Sequence, residues 1–304
     1  MKGKCSFQIG AVQHVYQRTH GGFLIFYSVK DYLVFFTLFS IAVRKYHIKV
    51  LGLCLMVDHI HVLVIADNKQ HLSEFVRYYT TGYSWAYNRW HGQRGVFFKG
   101  PFGYASKTRD KDIRSAIAYL YNNPVEKQIC RRPEQSQWNF LPYMTSRHPF
   151  SEPLRLAYAG APLRRAIREI RTNFASGKPL TYAQLNRLSR NLSSSEQRQL
   201  TDYIIWLYNC IDYAAVSNYF GGYPQMITAI NTAKGSEYSI PEDFTSGSDR
   251  IYSKMTQFLL DTRVLESIDD LMRMGQEERE AFLDPLCRAT GASARKVAKF
   301  LHLK

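Results

Sequence analysis

The chain has 304 residues, enough for two domains, and a formal net charge of +15. Its five cysteines are odd in number and widely spaced, which excludes a disulfide framework and paired zinc-binding cysteines. The apolar run at 33–43 is too short to cross a bilayer, and no segment has the pattern of a secretory leader. We therefore expect a reduced cytoplasm as its location and no membrane contact.

The positive charge is concentrated in the first half of the chain. Residues 1–150 carry 20 basic and 8 acidic side chains, whereas residues 151–304 carry 20 basic and 17 acidic ones. A strong local excess of Lys and Arg attracts polyanions. The asymmetry predicts a nucleic-acid partner for the first half, although solvated surface charge without such a partner is the plainer alternative.

Hydrophobic periodicity predicts a regular order of strands and helices in the first half. In chain order the predicted elements are a strand at 7–18, a helix at 31–46, hairpin strands at 48–56 and 59–66, a helix at 72–90, a short strand at 96–104 and a helix from Asp110 that ends at Pro124. This order fits a ferredoxin-like antiparallel sheet with packed helices. The predicted fold class is α+β, followed by an all-helical C-terminal domain.

Prolines interrupt the pattern at 131–162, which predicts a linker between a domain at 1–130 and a helical domain at 163–304. Within the second domain, residues 277–304 have the proportions of a helix-turn-helix. Its second helix carries three basic candidates for contact with duplex DNA: Arg295, Lys296 and Lys299. The alternative is a helical end cap with a basic solvent face.

Two histidines, His59 and His61, stand one residue apart in an apolar, β-branched run. Strand side chains alternate between faces, so both rings project from one face about 7 Å apart and could hold a metal ion. The alternative is that the two histidines are hydrogen-bonded core residues or edge residues without a metal. Further along, Tyr119 and Asn123 are four residues apart on a predicted helix and share a face, whereas Tyr121 does not share it.

Residues 54–64 and 119–125, about 55 residues apart, resemble the signature of single-tyrosine HUH transposases, most closely the REP-associated tyrosine transposases of bacteria. The resemblance spans roughly residues 8–130. It implies that His59 and His61 bind a divalent ion, Mg²⁺ or Mn²⁺, that Asn123 is the third ligand and that Tyr119 is the nucleophile. It also implies single-stranded DNA with a hairpin as substrate, a covalent 5′-phosphotyrosine intermediate and a location in the bacterial cytoplasm at the nucleoid.

The chain departs from the pattern of these relatives at two places. Val57 and Asp58 replace the Pro-Asn pair that often precedes the first histidine, and Pro101 stands where relatives often carry Arg. Asp58 either binds the metal, orients His59 or occupies the hairpin turn. The change at Pro101 removes a potential DNA contact.

Aromatic and basic residues alternate between the two motifs, a pattern typical of surfaces that bind unpaired bases. Helical spacing assigns Phe75, Tyr79, Tyr83, Ala86 and Trp90 to the core. The residues that remain as DNA candidates in the first domain are Arg18, Arg77, Tyr78, Trp85, Arg89 and Lys99.

The sequence thus predicts a metal-dependent single-strand DNA endonuclease and strand transferase. The alternatives are a non-catalytic or domesticated DNA-binding descendant, and a zinc hydrolase, which lacks a third His or Cys at ligand spacing. The chain has no phosphate-binding loop of the G-x-x-x-x-G-K type, so no nucleotide cofactor is expected. A homodimer is left open.

Overall fold

The structure is a computed structural model, and it describes residues 6–233 and 249–303. A four-stranded antiparallel sheet forms the centre of the first half, with the spatial order β2-β3-β1-β4. Its strands are β1 (Val12–Arg18), β2 (Lys49–Leu55), β3 (His59–Ile65) and β4 (Gly103–Lys107). Three helices flank it: α1 (Val29–Tyr46), α2 (Lys69–His91) and α3 (Asp110–Glu126). The predicted α+β class is confirmed.

Helix α1 is set by strong local signals and then packs on α2. The side chain of Ser28 accepts from the backbone N–H of Asp31, and the Asp31 carboxylate accepts from the N–H of Ser28, which is a capping box. The rings of Phe35 and Phe39 on α1 meet Tyr79 of α2 edge to face, at centroid distances of 5.5 and 5.3 Å. Buried aromatic contacts of this kind stabilise helix pairing beyond area burial alone.

Helix α3 approaches the sheet closely at a glycine. A Cβ placed on Gly52 of β2 would lie 3.2 Å from the side chain of Leu120, closer than an ordinary contact. Glycine at this position therefore lets α3 settle onto β2, beside a register shift between Val50 and Gly52. The close approach matters because Tyr119 lies next to Leu120 on the same helix.

Three predicted boundaries are wrong, and each has a local cause. Strand β1 begins at Val12 because residues 9–11 form turn and bend structure. The strand predicted at 96–104 is only an isolated bridge between Thr19 and Phe98 before β4 begins at Gly103, since Pro101 has no N–H for a ladder. Helix α3 runs through Pro124, because its closing bonds come from residues beyond the proline, such as Lys127 N–H to Asn123 O.

The rest of the described chain is helical. Three short 3₁₀ turns, at Pro133–Gln135, Gln137–Asn139 and Leu141–Met144, follow α3. The later helices are α4 (Ala161–Ala175), α5 (Tyr182–Ser189), α6 (Ser194–Tyr208), α7 (Tyr213–Asn218), α8 (Tyr223–Thr232), α9 (Arg250–Asp261), α10 (Ile268–Leu271), α11 (Gln276–Glu280), α12 (Leu283–Thr290) and α13 (Ala294–Phe300). None of the helices in the described ranges has the length and hydropathy that a bilayer crossing requires.

Two hydrophobic clusters divide these helices. The larger cluster is shared by the sheet, α1–α3 and α4–α8, because α6 packs on α1 and α8 packs on α3. The smaller cluster joins α9, α10, α12 and α13 around Met255, Leu286 and Phe300, and it includes Leu24 from the first half. We call residues 249–303 the C-terminal unit. Leu24 anchors this unit near the loop between β2 and β3.

Candidate active site

The two predicted histidines lie side by side on β3. In the register of the sheet, His59 stands opposite Arg18 and His61 stands opposite Tyr16 of β1. Both imidazoles are buried, and their centroids are 4.8 Å apart with the rings nearly perpendicular. Alternation along β3 therefore places both rings on one face, as the spacing predicted.

The two nitrogens of His59 face different oxygens. Nδ1 lies 2.5 Å from Asp58 Oδ1, and Nε2 lies 3.3 Å from the amide Oδ1 of Asn123 on α3. Because the carboxylate accepts the Nδ1–H, a neutral ring presents its Nε2 lone pair to an amide oxygen that is also an acceptor. A metal ion between them would satisfy both acceptors, as would an Asn123 amide turned so that its nitrogen donates.

Asp58 is held from two sides. One carboxylate oxygen contacts His59, and the other accepts from the ammonium group of Lys299 on α13. Burial by itself would raise the pKa of Asp58, but His59 and Lys299 outweigh burial and hold that pKa below its usual range. The carboxylate therefore stays ionised and orients His59, which is the second of the three roles that the sequence left open.

His61 has a partner that sequence reasoning missed. Nε2 of His14 on β1 lies 3.0 Å from Nδ1 of His61, and His14 is buried. Burial, reinforced by Lys107, lowers the pKa of His14 to about 3, and burial with the neighbouring His59 and His14 lowers the pKa of His61 as well. Both rings are therefore neutral near pH 7. The signal that could have found His14 is the alternation of His14, Tyr16 and Arg18, which puts His14 on the histidine face of the sheet.

Helix α3 brings Tyr119 to the histidines. The ring of Tyr119 is 5.4 Å from that of His61 and 6.0 Å from that of His14, centroid to centroid, and it meets both edge-on. Asn123 follows one turn later and faces His59. Tyr121 is fully buried elsewhere: its hydroxyl has no hydrogen-bond partner within the described residues, and burial, with Tyr213 and Cys54 nearby, raises its pKa.

The predicted DNA contacts fall into three groups. Arg18 and Lys99 are exposed, Arg18 stands opposite His59 in the sheet, and the Lys99 N–H donates to the Arg18 carbonyl at 2.8 Å. The second group lies on α2 and consists of Arg77, Tyr78, Trp85 and Arg89. Helix α2 packs against α1, whereas the helix that contacts the histidines is α3. The third group lies on α13, where Arg295 is exposed, Lys296 is half-buried and Lys299 binds Asp58.

The donor set suits a hard or borderline divalent ion. Across residues 6–233 and 249–303, no three His, Cys, Asp or Glu side chains cluster as a metal site. The candidates that converge are two imidazoles, from His59 and His61, and the amide oxygen of Asn123. Such a set, with a side chain against Nδ1 of each imidazole, could hold a divalent ion and leave positions for phosphate oxygens.

Comparison with known proteins shows which proteins this region resembles. Residues 26–123 match the model of the family described as "Transposase IS200 like", a range that includes both histidines, Tyr119 and Asn123. The resemblance indicated by the two motifs is thereby confirmed for this segment. A solved structure titled "Structure of the REP associates tyrosine transposase bound to a REP hairpin" is also similar, with 12% identity and a TM-score of 0.41, over 53% of this chain and 92% of that chain. No curated protein matches the chain.

Proposed function

We propose that this protein is a transposase that cleaves and rejoins single-stranded DNA carrying a hairpin, through a covalent 5′-phosphotyrosine at Tyr119. The proposal depends on one observation: where α3 packs on β3, the ring of Tyr119 contacts that of His61, and the amide of Asn123 lies next to His59. The match of residues 26–123 to IS200-like transposases supports the same class. The choice of a hairpin substrate rests on the resemblance of the two sequence motifs.

His59, His61 and Asn123 would hold the divalent ion, Mg²⁺ or Mn²⁺. When bound, the ion supplies Lewis-acid polarisation of the scissile phosphodiester. The protein's own part is orientation: Asp58 fixes the Nδ1–H of His59, and His14 lies against Nδ1 of His61. Both contacts are made at Nδ1, and a proton on Nδ1 would leave the Nε2 lone pair free for a metal ion.

The chemistry of Tyr119 is an exchange of esters. A phenol with an ordinary pKa of about 10 is a weak nucleophile, so the reaction needs a positively charged surround. Tyr119 gives its proton to water, the phenolate oxygen bonds to phosphorus, the bond from phosphorus to the 3′ oxygen breaks, and that oxygen takes a proton from water. The products are a 5′-phosphotyrosine and a free 3′-hydroxyl, and a second hydroxyl can reverse the step without ATP.

The domain roles follow from the positions of these groups. Residues 1–130 contain the proposed reacting groups and most of the basic excess, with Arg18 opposite His59 in the sheet. Residues 131–162 connect them to residues 163–304, whose last helix supplies Lys299. In this proposal the later residues hold and support the site, and the exposed Arg295 is available for duplex DNA.

The test is formation of a covalent adduct. The full chain is incubated with Mn²⁺ and labelled single-stranded hairpin oligonucleotides, and adducts that survive SDS are measured. Tyr119→Phe should abolish the adduct, whereas Tyr121→Phe, the matched control on the same helix, should retain it. Binding of the hairpins without any adduct, over several substrates and with Mg²⁺ and Mn²⁺, would instead establish a non-catalytic DNA-binding descendant.

A further inference from the structure

A second concentration of positive charge lies in the helices that follow the 3₁₀ turns. Residues 151–200 carry nine basic and three acidic side chains, whereas residues 201–304 carry eleven basic and fourteen acidic ones. Helix α4 buries Leu163, Ile167 and Ile170 on one side. Its exposed side carries four of the nine basic residues: Arg164, Arg165, Arg168 and Arg171. Intervals of three and four residues place these arginines in one row along the helix.

The charge of this row is not neutralised by neighbouring acids. Glu169 is the one acid of α4, and its carboxylate pairs with Arg187 of α5 at 2.5 Å. Within the described ranges, 6–233 and 249–303, none of the four α4 arginines forms an ion pair with a carboxylate. Cations held side by side on one helix attract a partner with regularly spaced negative charges.

The row continues onto α1 and α2. At the end of α1, the guanidinium group of Arg44 lies 4.7 Å from the ring centroid of Phe174 on α4 and donates to the Phe174 carbonyl at 3.0 Å. The next residue is Lys45, whose Nζ lies 4.5 Å from the ring centroid of Tyr78 on α2. Tyr78 follows the exposed Arg77. We call the four α4 arginines together with Arg44, Lys45 and Arg77 the basic track.

The basic track is separate from the candidate active site. Helix α4 packs on α5 and α6, and both of these pack on α1. The helix that contacts the histidines is α3, through Tyr119 and Asn123. The track therefore gives a place to Arg77, which the sequence marks as a DNA candidate but which lies on α2.

The aromatic rings along the track hold cations. The ring centroid of Tyr203 on α6 lies 5.6 Å from the guanidinium group of Arg171, and its hydroxyl accepts from Arg171 Nε at 2.6 Å. Tyr203 is buried, and the rings under Arg44 and Lys45, those of Phe174 and Tyr78, are half-buried. Unpaired bases need open ring faces for stacking, whereas the phosphates of a duplex need only charge. The track therefore suits duplex DNA better than a single strand.

We propose that the basic track binds the phosphate backbone of duplex DNA, independently of its sequence and away from the histidines. From Arg164 to Arg171 the helix rises about 10 Å, which matches about three phosphates of one strand. The surface goes beyond the proposed catalytic site, and neither a metal ion nor a covalent adduct is needed for its test.

The full chain is titrated in EDTA against a fluorescent blunt-ended duplex, and anisotropy is followed over a range of NaCl concentrations. Arg165→Gln combined with Arg168→Gln should lower the affinity at least about tenfold near 0.1 M salt, and should reduce the slope of log affinity against log salt by about two. The matched control is Arg131→Gln combined with Arg263→Gln, which makes the same change of charge at exposed positions off the track. This control should retain affinity and slope. An equal loss in both double variants, or none in the first, would overturn the proposal.

Three further measurements sharpen the test. Lys45→Gln combined with Arg77→Gln should weaken the duplex comparably, and full affinity there would contradict a track that continues past α4. The loss in Arg165→Gln with Arg168→Gln should be smaller on single-stranded oligo(dT), because a single strand has the lower charge density. An equal or larger loss on oligo(dT) would assign the surface to single strands instead. Tyr119→Phe should bind the duplex as the unmodified protein does, so failure of the nuclease proposal is distinguishable from failure of this one.

Discussion

The sheet with its packed helices and the C-terminal unit contribute to one site in different ways. The sheet side offers His14, His59 and His61 from regular strands, and α3 offers Tyr119 and Asn123 at helical spacing. The C-terminal unit contributes the ammonium group of Lys299, which donates to the carboxylate oxygen of Asp58 that does not face His59. The groups proposed to react are thus set by local periodicity, whereas the group that contacts Asp58 comes from 241 residues away in the chain.

The largest expected effect tests the sheet side. His59→Asn and His61→Asn should each reduce the yield of covalent adduct more than about 100-fold and weaken Mn²⁺ binding, because each change removes an imidazole ligand. His47→Asn, at the exposed end of α1, is the control and should retain both properties. The adduct is measured on denaturing gels and Mn²⁺ by electron paramagnetic resonance. Full Mn²⁺ affinity in both variants would remove the histidines from the ligand set.

The next effect tests whether His14 acts through His61. His14→Phe keeps the buried ring but removes its nitrogens, and we expect the adduct yield and the Mn²⁺ affinity to fall about 10- to 100-fold. His14→Gln, whose amide can still accept or donate, should recover part of the loss. His20→Asn, in the exposed turn after β1, serves as the comparison. An unchanged Mn²⁺ affinity in His14→Phe would limit His14 to core packing.

Substitutions of Lys299 test the contribution of the C-terminal unit. Lys299→Met removes the charge that holds Asp58 on His59, so we expect about a tenfold lower adduct yield, with Lys299→Arg restoring most of it. Arg295→Met on the same helix is exposed and should leave the reaction on a saturating hairpin unchanged. The ¹⁵N shifts of His59, which report its tautomer, should change only in Lys299→Met. A uniform loss of hairpin affinity, with no tautomer change, would make Lys299 a DNA contact instead.

The smallest effect is a pH dependence of stability from Asp249. Burial, and then the charge of Asp58, raises the pKa of Asp249 to about 6 in the folded protein. A raised carboxyl pKa means that the folded state binds the proton more tightly than the unfolded state. The ionised carboxylate therefore destabilises the folded protein near pH 7, and this destabilisation is lost as pH falls through 6. Between pH 7 and pH 5 the contribution of Asp249 to the free energy of unfolding should rise by about 1 kcal/mol.

Asp249→Asn provides the control for that measurement. Chemical denaturation of both proteins at pH 7 and pH 5, in EDTA, gives the difference that belongs to Asp249. The charges that face it, from His59, Lys127, Lys299 and Asp58, are present in both proteins and cancel to first order. Parallel pH profiles for the two proteins would contradict a raised pKa at Asp249.

Much of the fold could be predicted from sequence because its signals are local. Apolar, β-branched runs marked the hairpin of β2 and β3, and helical periodicity marked α1. The errors fell where a single residue competes with a pattern. Pro101 broke the strand predicted at 96–104, and Pro124 did not end α3, because the helix end is closed by later N–H groups.

The amino-acid sequence by itself determined the α+β class, the shared face of His59 and His61, and the shared face of Tyr119 and Asn123, since each depends only on the repeat of a strand or a helix. Only the tertiary structure decided that His14 contacts His61, that Lys299 contacts Asp58 and that Asp249 is buried near Asp58. Those contacts join residues distant in the chain, and their existence depends on strand register, the close approach of α3 at Gly52 and the docking of the C-terminal unit.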